Sequence, residues 1–231
     1  MSAFFDRSKS LLGVEAFDRL ASASVAVVGV GGVGGWCAEA LVRTGLGHIV
    51  IMDDDVVSPS NVNRQSPATA LTLGRVKVEA MKERLLSINP DCDVKALNER
   101  YTRGFLFEGC DVVIDAIDSV DCKAELILSV ASSSSHLISS MGAAFRTDPT
   151  KVTISRFEKV EGDGLAKALR GRFKRLQRFP EKKFFAVWST EIPSRSLAVD
   201  GCKGSCMAVT ATFGMVLASR AVSLITGVGD G

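Results

Sequence analysis

VAVVGVGGVGGWCAEALVRTGLGHIVIMDDDVVSPSNVNRQ, residues 25–65, is the stretch on which the reading of this chain turns. Val25 to Val28 is an apolar run with the length and β-branched content of a buried strand. Glycines follow at 29, 31, 32, 34 and 35. From Val33 to Thr44 the pattern turns helical, with Trp36, Ala40 and Leu41 expected as the buried stripe. Ile49 to Met52 is a second apolar run and ends on Asp53. The unit is a strand, a glycine turn, a helix and a second strand closed by an acid.

Glycine lets a backbone turn tightly and approach a phosphate with no side chain in the way. The free N–H groups at the start of the following helix attract negative charge. Asp53 stands nineteen residues after Gly34, near the spacing expected of an acid that holds a ribose hydroxyl. The unit therefore predicts nucleotide binding, but nicotinamide enzymes and ATP users share it. The downstream residues separate them. Asn61, Asn63, Arg64 and Gln65 form a polar loop, Lys77 follows on a helix, and Asp115-Ala116-Ile117-Asp118-Ser119 ends a later strand. Arginine and lysine neutralise phosphates and an exposed Asp can hold Mg²⁺. A nicotinamide-linked reductase has no need of that set.

These motifs, from about residue 13 to 119, resemble the E1-like adenylating enzymes, the superfamily of ThiF, MoeB and the ubiquitin activators. MGAAFRTDPTKV from residue 141, WSTE at 188–191 and GSCMAVTATFG at 204–214 resemble one branch, the TcdA or CsdL type tRNA threonylcarbamoyladenosine dehydratases. The resemblance implies ATP-dependent cyclisation of N6-threonylcarbamoyladenosine at tRNA position 37. The substrate carboxylate would attack the α-phosphate of ATP and release pyrophosphate. A nucleophile within the same modified base would then close the acyl-adenylate, so that water is lost overall. On this resemblance Gly29, Gly31, Gly32 and Gly34 shape the phosphate loop and Asp53 holds ribose. Asn61, Arg64 and Lys77 contact phosphates, and Asp118 places Mg²⁺. Arg64, Lys77 and Asp118 are the expected catalytic residues. The family also implies a homodimer, with a cysteine desulfurase-type system as a further partner and no DNA. The N-terminal arginines of the family fall on Phe4 and Ser10 here, which leaves Arg7 or Lys9 to supply that charge, or no such contact at all. The rival within the superfamily is adenylation of a small carrier protein's C-terminus.

The chain has 231 residues, a formal charge of +2 and 46% hydrophobic residues, which suits one α/β domain with a sizeable core. Asp6, Arg7, Lys9, Glu15, Asp18 and Arg19 occupy the region where a signal peptide would be apolar, so a cytoplasmic enzyme is expected. The six cysteines, at 37, 92, 110, 122, 202 and 206, make no disulfide framework. Many E1-like enzymes carry two CxxC pairs, whereas only Cys202 and Cys206 are close here, as CxxxC, so no zinc site and no sulfur-relay thiol is expected. Cys37, Cys92, Cys110 and Cys122 are expected as small buried side chains.

Residues 1–24 read as helical, punctuated by Gly13. A helix from Gly74 to about Ile88 buries Val78, Met81, Leu85 and Leu86 and ends at Asn89-Pro90. Val94–Leu97 and Asp111–Ala116 read as strands, with Tyr101, Phe105 and Phe107 packing between them. Asp115 and Asp121 read as capping or surface acids. A helix over 121–132, a strand at His136–Ser140 and an alternating strand at Lys151–Phe157 follow. Neither His48 nor His136 is placed to act as a base.

Residues 165–183 carry eight basic side chains against Glu181 alone, a net +7 that leaves about −5 for the rest of the chain. Lys167, Arg170, Arg172, Lys174, Arg175 and Arg178 are the tRNA-contact candidates, toward phosphates more than bases. Met207–Ile225 is apolar. Its uninterrupted part falls short of the roughly 20 residues of a membrane span, so it reads as a buried helix, with a dimer interface and peripheral membrane association as further options. The expected fold is a Rossmann-like, doubly wound, mainly parallel sheet in a single domain over 1–231, with residues 142–206 forming a basic, substrate-facing α/β part within it.

Overall fold

The computed structural model describes residues 3–193 and 203–229. Its seven strands are β1 (Ser24–Val28), β2 (His48–Met52), β3 (Asp93–Leu97), β4 (Val112–Asp115), β5 (His136–Ser140), β6 (Val152–Arg156) and β7 (Phe185–Ser189). They form one sheet in the order β3-β2-β1-β4-β5-β7-β6. Every pairing is parallel except β6 with β7. The chain reverses sides between β1 and β4, which puts a crevice at their carboxyl ends, where ligands bind in open α/β sheets.

The helices are α1 (Asp6–Leu12), α2 (Val14–Ser22), α3 (Gly34–Thr44), α4 (Lys77–Ile88), α5 (Val120–Ala131), α6 (Gly164–Leu176) and α7 (Met207–Thr226). Gly13, at φ 84°, separates α1 from α2, a conformation that suits glycine. One apolar cluster joins β1, β2, α3, α4 and α7; a second joins the other sheet face to α5 and α6. α7 packs along α3 so closely that a Cβ on Gly214 would lie 2.6 Å from the Val33 carbonyl oxygen. It is long and apolar enough to cross a membrane by length and composition, yet Val209, Phe213, Leu217 and Ala221 are fully buried within the protein. This is the buried helix expected from the sequence.

Three sequence expectations need correction. In α3 the fully buried positions are Cys37, Ala38, Leu41 and Val42, while Trp36 and Ala40 are half-buried. Trp36 sits at the edge because its indole N–H donates to the Arg64 carbonyl at 2.9 Å. Second, β7 was not expected. Its Phe-Ala-Val-Trp core follows directly on the basic run, and it pairs with β5 and β6. Residues 152–189 thereby add two strands to the same sheet. Third, Cys122 is half-buried on the cleft described below rather than in the core. Cys202 lies outside the described residues. Cys37, Cys92 and Cys110 are buried, and burial pushes their thiols up, that of Cys92 to about 11. Such thiols are poor nucleophiles at neutral pH.

Candidate active site

The glycine turn is built by close approach. Gly29 has φ 89°, and a Cβ there would stand 2.8 Å from the Ala116 carbonyl oxygen. A Cβ on Gly34, the first residue of α3, would fall 1.8 Å from the Gly29 carbonyl oxygen. These two glycines let β1, the turn and the 116–119 loop share one small volume. No side chain caps the N-terminus of α3; the Gly35 N–H donates to the Gly31 carbonyl at 3.1 Å, and the positive end of the helix points at the turn. A cleft of about 520 Å³ opens above the turn, a size ordinary for nucleotide-like ligands.

Asp53 leaves the end of β2 and fixes the turn. Its Oδ2 accepts the Val30 N–H at 2.8 Å and its Oδ1 accepts the Asp55 N–H at 3.0 Å. Lys77 opens α4, only 3% exposed, with its Nζ 3.2 Å from Asp53 Oδ1 and 2.8 Å from Asp55 Oδ2. Arg64 lines the cleft across from Gly32, its Nη1 donating to the Ser60 carbonyl at 2.8 Å and to Asn63 Oδ1 at 2.9 Å. Asp118 is exposed, lines the cleft, and has no ion pair among the described residues. Gly29, Gly31, Gly32, Asp53, Arg64, Lys77 and Asp118 therefore converge on one cleft. Gly34 lies beneath it. Asn61 does not line it: its Oδ1 accepts the Ser58 N–H at 3.1 Å and closes the turn that carries Arg64.

Asp115 is neither cap nor surface acid. It is fully buried with Lys123, Nζ to Oδ2 2.9 Å, and accepts the Ser139 hydroxyl at 2.6 Å. Burial pushes its carboxyl up, against the opposing pull of Lys123 and Ser139. Lys123 also donates to the Ile117 carbonyl at 2.9 Å, so this pair holds the loop that presents Asp118. Asp121 is at the surface, paired with Arg172 at 2.9 Å.

The far wall of the cleft comes from residues 141–146 and the start of α6. Arg146 and Asp163, 3% and 4% exposed, form a buried pair at 3.2 Å. Arg146 also donates to the Gly142 carbonyl. Asp163 Oδ1 caps α6 through the Leu165 and Ala166 N–H groups, both at 2.9 Å, while Oδ2 accepts the Gly142 N–H at 3.1 Å. Sequence reasoning assigned Arg146 and Asp163 no role. The signals available were the place of Arg146 in the MGAAFRTDPTKV stretch and, for Asp163, its position directly before a helical run, an N-cap pattern.

The six tRNA-contact candidates divide. Lys167, Lys174 and Arg175 are exposed on or beside α6 with no ion pair among the described residues. Arg170 instead donates to the carbonyls of Phe157 and Val160 at 2.9 and 2.7 Å. Arg172 pairs with Asp121, and Arg178 with Glu125 at 3.1 Å. Of the two histidines, His48 meets Asp93 at 3.5 Å at the opposite edge of the sheet, and neither lines the cleft.

A nucleotide-sized cleft lined by a glycine turn, Arg64, Lys77 and Asp118 belongs to an ATP-dependent carboxylate-adenylating enzyme. The ThiF family matches residues 5–231, and the chain belongs to that family. It is 43% identical over 175 residues, 74% of this chain and 69% of the relative, to the tRNA threonylcarbamoyladenosine dehydratase of Bacillus subtilis. With the dehydratase of Haemophilus influenzae it shares 36% over 224 residues, 88% and 86% of the two chains. The Escherichia coli tRNA N6-threonylcarbamoyladenosine dehydratase in complex with AMP superposes with a TM-score of 0.90 at 38% identity, covering 96% of this chain and 94% of that one. Its complex with ATP gives 0.89 at 37%, covering 96% and 93%.

Proposed function

We infer that this chain is an ATP-dependent dehydratase that converts N6-threonylcarbamoyladenosine in tRNA to its cyclic form through an acyl-adenylate. The observation that carries the reading is the near-complete correspondence with dehydratase structures that hold AMP and ATP, joined to a cleft of fitting chemistry in this chain. The α3 N-terminus and the glycine turn would cradle the phosphates, and Asp53 would hold the ribose. Arg64 and Lys77 would offset the charge that develops as the substrate carboxylate attacks the α-phosphate. Asn61 would act indirectly, by fixing the turn beneath Arg64. Residues 142–146 and 163–165 form the wall left for the modified base.

Magnesium fits the residues present. Mg²⁺ is usually held by one or two carboxylates plus substrate phosphates, and Asp118 is an exposed carboxylate on the cleft with no competing cation. When bound there it would screen charge as a Lewis acid. Lys167, Lys174 and Arg175 are the residues we read as facing tRNA phosphates. The whole chain is read as one adenylating domain, with residues 142–206 as its substrate-facing part, acting in the cytoplasm. A homodimer is supported by α1, which has no buried residue and leaves Leu11 82% exposed. A cysteine desulfurase-type partner rests on family resemblance alone.

The test is mass spectrometry of tRNA nucleosides before and after incubation with the enzyme, ATP and Mg²⁺. The reading expects loss of one water from the modified adenosine together with AMP release. AMP release on a carrier protein's C-terminus, with tRNA unchanged, would overturn it.

A further inference from the structure

A second concavity, about 160 Å³, lies at the opposite edge of the sheet from the cleft. His136 opens β5 there, Phe185 opens β7, and Arg156 ends the antiparallel β6 beside it. Arg156, Lys182, Lys183 and Arg220 line this pocket, and none of its lining residues is acidic. The guanidinium carbons of Arg156 and Arg220 sit 4.0 and 4.1 Å from the centre of the Phe185 ring, so the two charges are held within about 8 Å of each other. Arg156 Nη1 donates to the Lys183 carbonyl at 3.2 Å, and Lys182 donates to the Ser133 carbonyl. Arg156, Lys182 and Lys183 are exposed and meet no carboxylate among the described residues. The fold thus gathers like charges in a concave place whose lining holds no acidic side chain among the described residues.

The pocket is also connected. Gly164 and Leu165, which open α6, line the catalytic cleft. The thirteen residues of α6 span about 20 Å and descend toward the edge that carries Lys182 and Lys183. Lys167, Lys174 and Arg175 are exposed on that helix and form a basic track along it. α6 packs on the sheet face opposite the one that holds Phe185 and α7, and Lys182 and Lys183, in the segment between α6 and β7, carry positive charge round the end of the sheet to the pocket.

We propose that the pocket formed by Arg156, Lys182 and Lys183 beside Phe185 takes a backbone phosphate of the tRNA and anchors it at the sheet edge remote from the chemistry. This rests on the tRNA reading above. A nucleic-acid phosphate, rather than a free one, is favoured because Lys182 and Lys183 close the run 165–183, whose eight basic residues face Glu181 alone, so that the pocket is one part of a wider cationic surface. Phosphate contacts fix position without reading sequence.

The experiment compares the full-length parent with two triple variants. One is Arg156→Gln, Lys182→Gln, Lys183→Gln; the other is Lys167→Gln, Lys174→Gln, Arg175→Gln on the track. For the pocket variant the expected result is a rise of about tenfold in the KM for tRNA, with ATP affinity at the parental value. The slope of log affinity against log salt should fall by about 1 to 2. The Arg156→Lys, Lys182→Arg, Lys183→Arg variant, which keeps the charges, should retain the parental KM and serves as the folding control. A parental KM and salt slope in the glutamine pocket variant would overturn the proposal, including when calorimetry shows inorganic phosphate bound there by the parent. A track variant that weakens tRNA while the pocket variant does not sinks the pocket alone. Parental tRNA binding in both variants sinks the tRNA reading of this face as well.

Discussion

Lys77 stands between two carboxylates, 3.2 Å from Asp53 and 2.8 Å from Asp55, and is almost fully buried at the edge of the cleft. Its ammonium group is therefore aimed before any nucleotide arrives, and Asp53 is tied to it and to the glycine turn together. Lys77→Met should lower the rate of cyclic nucleoside formation about 100- to 1,000-fold, the scale of losing one preorganised charge. Asp55→Asn, which removes one guide but not the cation, should cost much less. A steady-state assay with tRNA and ATP checks both.

Arg64 and Asp118 are the partly and fully exposed members of the group, so their removal should leave the fold in place. Arg64→Ala and Asp118→Ala should each abolish tRNA-dependent ATP–pyrophosphate exchange, with an unchanged circular dichroism spectrum. Retained exchange in either would count against the assigned role.

The glycines of the turn should divide by what surrounds them. At Gly34 a methyl group meets a backbone oxygen at 1.8 Å, so Gly34→Ala should destabilise by about 3 kcal/mol or more. At Gly31 the nearest atom is Gln65 Nε2 at 3.8 Å, an ordinary contact. Gly31→Ala should fold normally and weaken ATP binding only. Thermal unfolding with and without ATP separates the two effects.

Glu39 is buried between α3 and α4, where Arg84 and Arg43 donate to it at 2.6 and 2.9 Å and Ser66 at 2.7 Å. Desolvation by burial acts to raise its pKa, but these hydrogen bonds outweigh it and hold the carboxyl below its ordinary value. A depressed carboxylate contributes stability above its unfolded pKa, near 4.3, and loses it as pH falls through the folded value. Glu39→Gln should therefore cost about 2 kcal/mol at neutral pH and flatten the acid limb of the stability curve below about pH 4. Urea denaturation across pH checks this.

Lys123→Met should be among the costliest single changes, about 3–5 kcal/mol, because it strands Asp115 uncompensated in the core. The double change Lys123→Met, Asp115→Leu should recover much of that stability in a denaturant titration. It should not recover activity, since the Ile117 carbonyl loses its donor and Asp118 its fixed place.

The nucleotide half of the molecule was legible because its information is local. Strand, glycine turn, helix and acid lie within residues 25–53, while Lys77 and Asp118 were assigned through the family resemblance, with the strand before Asp118 carrying it to the carboxyl end of the sheet. The misreadings share the opposite property. Asp115 looks like any strand-end acid until Lys123, a helical turn and more away, is seen beneath it. Arg146 and Asp163 are joined only by tertiary structure, from segments with no shared periodicity. Asn61 sits in the right motif but spends its side chain on the Ser58 N–H. Charge on α6 was visible, yet which arginines are spoken for by Phe157, Asp121 and Glu125 was not.

The backbone contact between Gly214 and Val33 ties the start of the chain to its finish: β1 opens near residue 24, whereas Thr210, on α7, completes the wall of the same cleft. A polypeptide that ends before α7 lacks Thr210 on the cleft and leaves bare the α3 surface against which Phe213 and Gly214 pack. Such a truncated chain should lose fold stability and ATP binding together, which protection by ATP against thermal unfolding reads out.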